Sequence, residues 1–365
     1  MKKSHLLILF GGQSSEHEVS CRSAVSVIRA IDTDEYDRMI IGITKDGRWI
    51  LVEGTDEIEK NCWQQGKTEA VLSPEASKKG VWLRREGESL FWPVDIVFPV
   101  LHGTGGEDGA VQGLLELAGL PYVGCGILAS ALSMDKAYTK VIVERLGICQ
   151  ASCVAADGEQ VRTERGLTDS VQAVEEKLTY PVFVKPSASG SSCGVAKAAN
   201  REELKAGLRQ AAGYGPRILV EEAVTGRELE CAVLGGPVPR ASGVGEILPG
   251  ADFYDYDAKY NSNVSRTVID PRLPEGVEEK IREASVEIFR AVDGRGLARV
   301  DFFLEDGSDR IVFNEINTMP GFTDISMYPL LWEAAGLPVE ELVKRLLHDA
   351  GERAKRETQD RLGRI

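Results

Sequence analysis

Near its C-terminal end the sequence reads RVDFF at residues 299–303 and VFNEIN at residues 312–317, two apolar runs joined by a polar turn. Such a pattern predicts a β-hairpin, which brings its far ends together. Asp301, Glu315 and Asn317 therefore converge, and two carboxylates and an amide are oxygen ligands that suit Mg²⁺. The hairpin thus predicts a metal site. For Asp301 alone, a surface hairpin with scattered charge is the competing interpretation.

Arg299 adds a cation to this hairpin. It lies two residues before Asp301, so the alternation of a strand places both side chains on one face. A cation there can neutralise charge that develops on a transferred phosphoryl group. The hairpin therefore predicts phosphoryl-transfer chemistry as well as metal binding.

Composition narrows the classes of partner. The 365 residues carry 43 Lys and Arg against 57 Asp and Glu, a net charge of −14, which argues against a nucleic-acid partner. Seven scattered cysteines without CxxC spacing predict reduced thiols in a cytoplasmic protein and argue against structural zinc. No apolar run reaches transmembrane length, so no membrane association is expected, and the first apolar run is interpreted as a buried strand.

The order of predicted elements indicates mixed α/β and α+β architecture in three domains. Residues 1–129 alternate strand and helix, which predicts a parallel open sheet, with 55–87 as a peripheral insertion. Residues 130–226 predict a small α+β domain that begins with one helix over 133–146. Residues 227–365 hold paired strands and the metal hairpin. Within them, 250–274 is a long polar loop, predicted to be a mobile lid.

Two features of the central domain could bind phosphate. A Gly/Ser loop, GSSCG at 190–194, follows an apolar strand, and its backbone N–H groups and the Ser191 and Ser192 hydroxyls could cradle an anion. Lys185 leaves the strand just before this loop. Lys136 lies early on a helix, where a lysine gains nothing from the helix dipole. A flexible turn and a solvated lysine are the alternatives for each feature alone.

Polar side chains that could contact a ligand lie at the ends of three other strands. Glu221 and Glu222, with Glu228 beyond them, could meet an adenine and a ribose, or could simply end a charged strand. His102 follows a buried strand, at the edge where open α/β sheets bind ligands. After the first strand, Ser15 and Glu18 fit a capping box, which leaves Glu16 to face a ligand's ammonium group.

Six segments in this order resemble the D-alanine–D-alanine ligases of the ATP-grasp superfamily, over nearly the whole chain. They are GGQSSEHEVS (11–20), LHGTGGEDG (101–109), SMDK (133–136), VKPSASGSS (184–192), FYDYDAKY (253–260) and NEINTMPG (314–321). The resemblance implies an ATP-grasp fold. It also implies that ATP converts one D-alanine to an acyl phosphate, which the amine of a second D-alanine attacks. A homodimer and two Mg²⁺ ions, with Mn²⁺ as a possible substitute, are further implications.

The resemblance also assigns roles to residues. Asp301, Glu315 and Asn317 would hold the metal ions. Glu16, Ser191 and Tyr260 would place the first substrate, with His102 near its carboxylate. Arg299 and the Gly321 backbone would stabilise the tetrahedral intermediate, and Ser326 and Met327 would border the second substrate. The residues implied to bind ATP are Lys136, Lys185, Ser192, Glu221, Glu222, Glu228 and Lys259.

Two competing functions stay open at this point. One is a ligase whose second substrate is D-serine or D-lactate, and the other is a nucleotide-binding protein without ligase chemistry. By the resemblance, D-lactate ligases carry a histidine where this chain has Tyr260, and D-serine ligases tend to carry an arginine at Met327. We therefore expect D-alanine as the second substrate.

Overall fold

The computed structural model describes residues 3–248 and 266–362. The first sheet has seven strands in the order β6-β5-β4-β3-β2-β1-β7. Its strands are β1 (Ser4–Gly11), β2 (Tyr36–Ile43), β3 (Trp49–Val52), β4 (Glu69–Leu72), β5 (Gly80–Arg85), β6 (Glu88–Pro93) and β7 (Ile96–Val100). The helices of this part are α1 (His17–Ala30), α2 (Thr55–Glu59) and α3 (Ala110–Leu117).

The predicted parallel sheet is confirmed for β2, β1 and β7, whereas the other four strands, which were not predicted, pair antiparallel. Two of these four strands, β4 and β5, lie within the segment 55–87 that was predicted to be a peripheral insertion, so this segment is part of the sheet. The connection from β5 to β6 is the two-residue turn Glu86-Gly87, with φ of 51° and 87°. A tight hairpin of this kind can join only antiparallel strands, whereas parallel strands need a long crossover.

Burial explains the composition of the central strands. Residues 6–10 of β1 are fully buried, and a strand covered on both faces is continuously apolar rather than alternating. The carboxyl ends of β1 and β7 lead into the loops that carry Glu16 and His102. The sheet therefore delivers both predicted site loops to the same edge, as expected for an open α/β sheet.

The second sheet has four antiparallel strands in the order β10-β9-β11-β8. The strands expected before the Gly/Ser loop and at Glu221 are confirmed as β9 (Val182–Pro186) and β11 (Arg217–Glu222), and β10 (Ala196–Ala198) and α8 (Arg201–Ala211) lie between them in the chain. Three further elements lacked a prediction, namely β8 (Cys153–Asp157), α6 (Gly158–Val161) and α7 (Glu164–Glu175). An apolar cluster fastens α7 and α8 to one face of this sheet.

The single helix predicted over 133–146 is wrong in one respect. The structure has two helices, α4 (Ile127–Met134) and α5 (Lys136–Arg145), separated by Asp135. Asp135 adopts extended backbone angles and its carboxylate accepts a hydrogen bond from the Ala137 N–H. It is therefore the N-cap of α5, and it places Lys136 at the first position of a new helix.

The third sheet is antiparallel, in the order β14-β13-β12-β15-β16. Its elements are β12 (Gly226–Leu234), β13 (Arg240–Leu248), β14 (Arg266–Ile269), β15 (Leu297–Glu305) and β16 (Ile311–Asn317), with helices α9 (Val277–Ala291), α10 (Met327–Ala334) and α11 (Val339–Leu362). Helix α9 packs on one face, and α10 and α11 join the other face to the first sheet. Strand β14 lies within the segment 250–274 that was predicted to be an irregular loop, so the prediction is wrong for residues 266–269.

The three sheets occupy residues 4–100, 153–222 and 226–317, and the predicted domain limits stay predictions. Among the helices of residues 3–248 and 266–362, none combines the length and the apolar character needed to cross a bilayer.

Candidate active site

The β15–β16 hairpin brings its polar side chains together as predicted. Arg299 pairs across the ladder with Asn317, and Asp301 pairs with Glu315. Arg299 donates from Nε to Asp301 Oδ1 at 2.8 Å and from Nη2 to Oδ2 at 2.7 Å, and Asn317 Nδ2 donates to Oδ2 at 3.0 Å. Asp301 is fully enclosed in this network. The convergence inferred from the sequence is therefore confirmed as geometry.

Cations balance both carboxylates of the hairpin. Lys136 Nζ lies 2.9 Å from Glu315 Oε2, and Arg299 also lies 3.0 Å from the buried Glu230. Within the described ranges, no group of three or more His, Cys, Asp or Glu side chains is placed to hold a metal. The oxygen donors on the hairpin are two carboxylates and the Asn317 amide. This set fits Mg²⁺, which usually takes one or two carboxylates and keeps its other positions for water and phosphate oxygens.

A cavity of about 400 Å³ lies between the second and third sheets. Its walls combine apolar side chains, among them Phe183 and Phe313, with charged ones. The predicted residues that line it are Lys136, Lys185, Ser191, Ser192, Glu221, Glu222, Glu228 and Glu315. A cleft of this size with aromatic walls and two lysines suits an aromatic base carrying phosphates. The structure thus gathers around one cavity six of the seven residues that the resemblance assigned to ATP, all except Lys259, which lies outside the described residues, and one residue assigned to metal.

Glu221 is held by two lysines at the back of this cavity. Lys140 Nζ lies 2.6 Å from Glu221 Oε1, and Lys185 Nζ lies 2.6 Å from Oε2. Burial alone would raise the pKa of Glu221, but Lys185 and Lys140 outweigh it and lower the pKa to about 2. The same pairing raises the pKa of Lys185 against the opposing effect of burial. The sequence predicted that Glu221 meets adenine and did not identify Lys140, because its partner lies on a distant strand.

The Gly/Ser loop turns sharply beside the first sheet. Ser191 and Ser192 have φ of 49° and 56°, a left-handed conformation that is uncommon for residues with a side chain. Ser191 Oγ donates to Glu16 Oε1 at 2.5 Å, so two predicted members of the substrate-placing set are in contact. A Cβ atom on Gly190 would lie 2.6 Å from Glu16 Oε2, and one on Gly103 would also collide with it. The Glu16 carboxylate therefore lies between two glycines.

The predicted capping box at α1 is wrong. Helix α1 has no side-chain cap, and Glu18 pairs with Lys45 at 2.9 Å, a hydrogen bond that lowers the pKa of Glu18. Ser14 takes the structural role instead. Its Oγ accepts from the Glu16 N–H at 2.9 Å and donates to the His102 carbonyl at 2.8 Å. This bridge fixes the start of α1 against the His102 loop.

His102 belongs to a buried network that reaches the C-terminal part of the chain. Its Nδ1 lies 2.8 Å from the Met319 carbonyl and its Nε2 lies 3.0 Å from Ser23 Oγ. Burial lowers the pKa of His102, which favours the neutral ring. The contacts fit a tautomer in which Nδ1–H donates to Met319 and Nε2 accepts from Ser23. Ser23 Oγ in turn accepts from the Phe322 N–H at 3.1 Å.

Glu107 is a site residue that was not predicted from the sequence. Its Oε2 accepts from the Gly103 N–H at 2.8 Å and its Oε1 accepts from the Met319 N–H at 2.9 Å. Burial, together with the nearby Glu16 carboxylate, raises the pKa of Glu107 to about 8, while the two N–H donors act in the opposite direction. Both backbone polar groups of Met319 are thus bound by the loop 102–107. The sequence signal for Glu107 is the GEDG motif at residues 106–109, which carried only the family resemblance.

Comparison with known proteins identifies the family. The chain matches the sequence patterns of two families, described as D-ala D-ala ligase N-terminus over residues 5–125 and D-ala D-ala ligase C-terminus over residues 142–348. The chain belongs to the D-alanine–D-alanine ligase family. Among similar relatives, the D-alanine–D-alanine ligase of Acetivibrio thermocellus is 48% identical, with 96% of each chain covered. That of Ruminiclostridium cellulolyticum is 49% identical, over 97% of this chain and 96% of the relative.

Solved structures agree with this assignment to the ligase family. The VanG D-Ala:D-Ser ligase from Enterococcus faecalis has a TM-score of 0.86 at 37% identity, over 96% of this chain and 100% of that one. The D-alanine-D-alanine ligase from Coxiella burnetii has a TM-score of 0.85 at 33% identity, over 98% and 97%. The predicted ATP-grasp fold is therefore confirmed.

The edge assigned to the second substrate is partly buried in this member of the ligase family. Ser326 Oγ accepts from the Thr323 N–H at 3.0 Å and contacts the Thr323 hydroxyl at 2.7 Å. Gly321 is adjacent, since a Cβ there would lie 2.8 Å from Ser326 Oγ. Met327 is buried and packs against Gly245 of β13, where a Cβ would collide with its sulfur. Its role at the substrate stays a prediction.

Two predicted site residues, Lys259 and Tyr260, lie outside the described residues, as does most of the predicted lid.

Proposed function

We propose that the protein joins two D-alanine molecules into D-alanyl-D-alanine, with ATP converted to ADP and phosphate. The observation that carries this proposal is the position of Lys136. Its Nζ lies 2.9 Å from Glu315 on the metal hairpin and donates to the Ser189 carbonyl, at 3.0 Å, beside the Gly/Ser loop. The Lys136 ammonium group thus links the metal hairpin to the Gly/Ser loop, and phosphoryl transfer from ATP requires both a metal site and a phosphate-binding loop. Family membership supports the identity of the substrates.

The nucleotide fits the cavity between the second and third sheets. Its base would lie among the apolar walls near Phe183 and Phe313, with Lys136 and Lys185 beside the phosphates. Asp301, Glu315 and Asn317 would hold Mg²⁺, for which Mn²⁺ is a plausible substitute. The metal supplies charge neutralisation for the transferred phosphoryl group.

The first D-alanine would place its ammonium group at Glu16, whose position Ser191 fixes. A carboxylate oxygen of this D-alanine attacks the γ-phosphorus, the bond to the β-phosphate oxygen breaks, and ADP leaves. The product is D-alanyl phosphate, which hydrolyses readily in water, so an enclosed site is needed. His102 acts here through Met319, by fixing the segment that borders the substrate carboxylate.

The second D-alanine would attack as a neutral amine. The new C–N bond forms at the carbonyl carbon and the oxygen takes up the negative charge. The bond between that carbon and the phosphate oxygen then breaks, phosphate leaves with a proton from the nitrogen, and the carbonyl is restored. Arg299 and the Gly321 N–H would stabilise that oxyanion. Ser326 and Met327 would border the incoming molecule. The dipeptide would serve peptidoglycan precursor synthesis.

The finer features of this proposal come from the family resemblance. They are a homodimer, a cytoplasmic location and the use of two metal ions. Seven free cysteines support a reducing compartment. Sedimentation velocity of the purified protein measures the oligomeric state, and a monomer at all accessible concentrations would remove the dimer from the proposal.

D-Serine as the second substrate is the alternative, favoured by the likeness to the VanG ligase. A competition with equal D-alanine, D-serine and D-lactate, read by mass spectrometry, decides between them. We expect D-alanine to exceed D-serine by about one order of magnitude, because an unpaired serine hydroxyl costs about 1–3 kcal/mol. A mixed alanyl-serine or ester product as the major species contradicts the proposal.

Glu315→Gln tests the reaction itself. The variant removes one charge from the metal ligands, and we expect ADP formation with D-alanine to fall by about 10³-fold or more while the circular dichroism spectrum is unchanged. The matched control is Glu305→Gln on the same hairpin, whose side chain pairs with Arg310 at 3.0 Å on the surface. Near-normal turnover of the Glu315 variant at limiting Mg²⁺ would show that this residue is not a ligand.

A further inference from the structure

Lys140 is a buried lysine that the catalytic scheme above does not use. It lies on α5, one helical turn after Lys136, and is 5 % exposed. Its Nζ lies 2.6 Å from Glu221 Oε1 and donates to the Ala151 carbonyl at 3.3 Å. Glu221 and Ala151 both line the nucleotide cavity, so Lys140 supports that wall from behind.

The charges around Glu221 show what Lys140 contributes. Each oxygen of the Glu221 carboxylate is taken by a different lysine, Lys140 on one side and Lys185 on the other, at 2.6 Å each. Two positive charges face one negative charge, so the group retains one positive charge for an anionic ligand. Without Lys140, the buried Glu221 would be paired by Lys185 alone. The group would then be neutral, and Lys185 would be drawn toward its counterion.

The contacts of Lys140 also indicate that it supports the wall of the nucleotide cavity. The Glu221 carboxylate bridges a lysine on α5 and a lysine on β9, and the hydrogen bond to Ala151 adds the segment that enters β8. The side chain of Lys140 thus joins three elements that surround the cavity. A lysine in this position fixes the wall without touching the ligand.

We propose that Lys140 is a positioning residue for the nucleotide: it takes one oxygen of Glu221, so that Lys185 stays directed at the phosphates and the three side chains together keep one net positive charge. This inference rests on the proposed function, because it assumes that the cavity binds MgATP. It differs from a purely structural role, which would affect folding without a specific effect on the nucleotide.

Lys140→Met tests the inference, since it removes the charge and keeps an unbranched side chain. We expect the KM and Kd for MgATP to rise about tenfold or more, with a smaller effect on kcat at saturating MgATP. Lys205→Met is the matched control, because that lysine forms an exposed ion pair with Glu202 on the neighbouring α8. The control is expected to bind MgATP like the wild type. Equal affinity in wild type and Lys140→Met overturns the inference.

The double variant Lys140→Met/Glu221→Gln, compared with Glu221→Gln alone, tests whether Lys140 acts through Glu221. Once Glu221 has lost its charge, Lys140 has no carboxylate to hold, so we expect Lys140→Met to change the affinity for MgATP by less than about threefold in that background. Should Lys140→Met alone fail to fold, this comparison decides, and a tenfold difference between the two Glu221 variants overturns the inference. A wild-type protein that does not bind MgATP refutes the proposed function instead.

Discussion

Replacing Glu107 tests whether the loop 102–107 fixes the segment that follows the metal hairpin. Its two oxygens accept hydrogen bonds from Gly103 and Met319 at 2.8 and 2.9 Å, and the side chain is 9% exposed. In Glu107→Leu, both backbone N–H groups lose their acceptor inside the protein. In Glu107→Gln, one amide oxygen remains to accept, and the NH₂ group faces a donor.

The expected loss in the free energy of unfolding follows from these two hydrogen bonds. A buried N–H group without a partner costs about 1–3 kcal/mol, so Glu107→Leu should lower the free energy of unfolding by about 2–6 kcal/mol and Glu107→Gln by about 1–3 kcal/mol. The Gln value should lie near the lower end. Burial of the carboxylate is itself unfavourable, since it raises the pKa of Glu107 to about 8, and the neutral amide avoids that penalty.

Urea denaturation of both variants above pH 8, where the wild-type carboxylate is ionised, gives the two free energies. Steady-state ADP release should fall at least tenfold in both variants, because Met319 lies midway between Asn317 and Gly321. Glu88→Gln, at an exposed position of β6, is the control and should change stability by less than about 0.5 kcal/mol. Stability of the Leu variant within that margin, or a Gln variant less stable than Leu, would refute the reasoning.

Two further predictions concern Gly190 and Glu221. Gly190→Ala should lower kcat/KM for D-alanine about tenfold or more in steady-state assays, because the methyl group would lie 2.6 Å from Glu16 Oε2. Gly113→Ala is the control, because there is open space around that position. Equal effects of the two substitutions on kcat/KM contradict the prediction. The pKa of Glu221 falls from 4.5 to about 2 on folding, so its contribution of about 3 kcal/mol is fully present above pH 4.5 and lost as the pH falls toward 2. Urea titrations of wild type and Glu221→Gln should therefore converge on acidification, and a constant difference would be inconsistent with this pKa.

The metal hairpin could be predicted because its information is local. Alternation of apolar residues predicts the strands, and the polar turn predicts the hairpin. The oxygen atoms of Asp301, Glu315 and Asn317 are of the kind that binds Mg²⁺, which predicts the metal site. The strands β9 and β11 were predictable for the same reason. Pairing partners of β3 to β6 were not, because the direction of a strand depends on the length and conformation of its connections.

Residues that act through distant partners escaped prediction. Lys140 and Glu107 are charged residues in ordinary surroundings along the chain, and only the fold brings them to Glu221 and to Met319. Asp135 is a third case, since a helix-capping aspartate inside a helical pattern resembles an ordinary polar residue until its backbone angles are known. Sequence patterns therefore do not predict those contacts of the site that form when segments far apart in the chain bury a side chain.

The hydrogen bond from Met319 to Glu107 spans 212 residues of chain. During synthesis at about 5–20 residues per second, the loop around Glu107 waits roughly 10–40 s before Met319 is made. The first sheet can fold in that interval, but its ligand-facing edge is unfinished. A ribosome-bound chain that stops short of the β15–β16 hairpin therefore has an incomplete binding surface. Catalytic activity becomes possible only after the last part of the chain has been translated, and it does not increase gradually during synthesis.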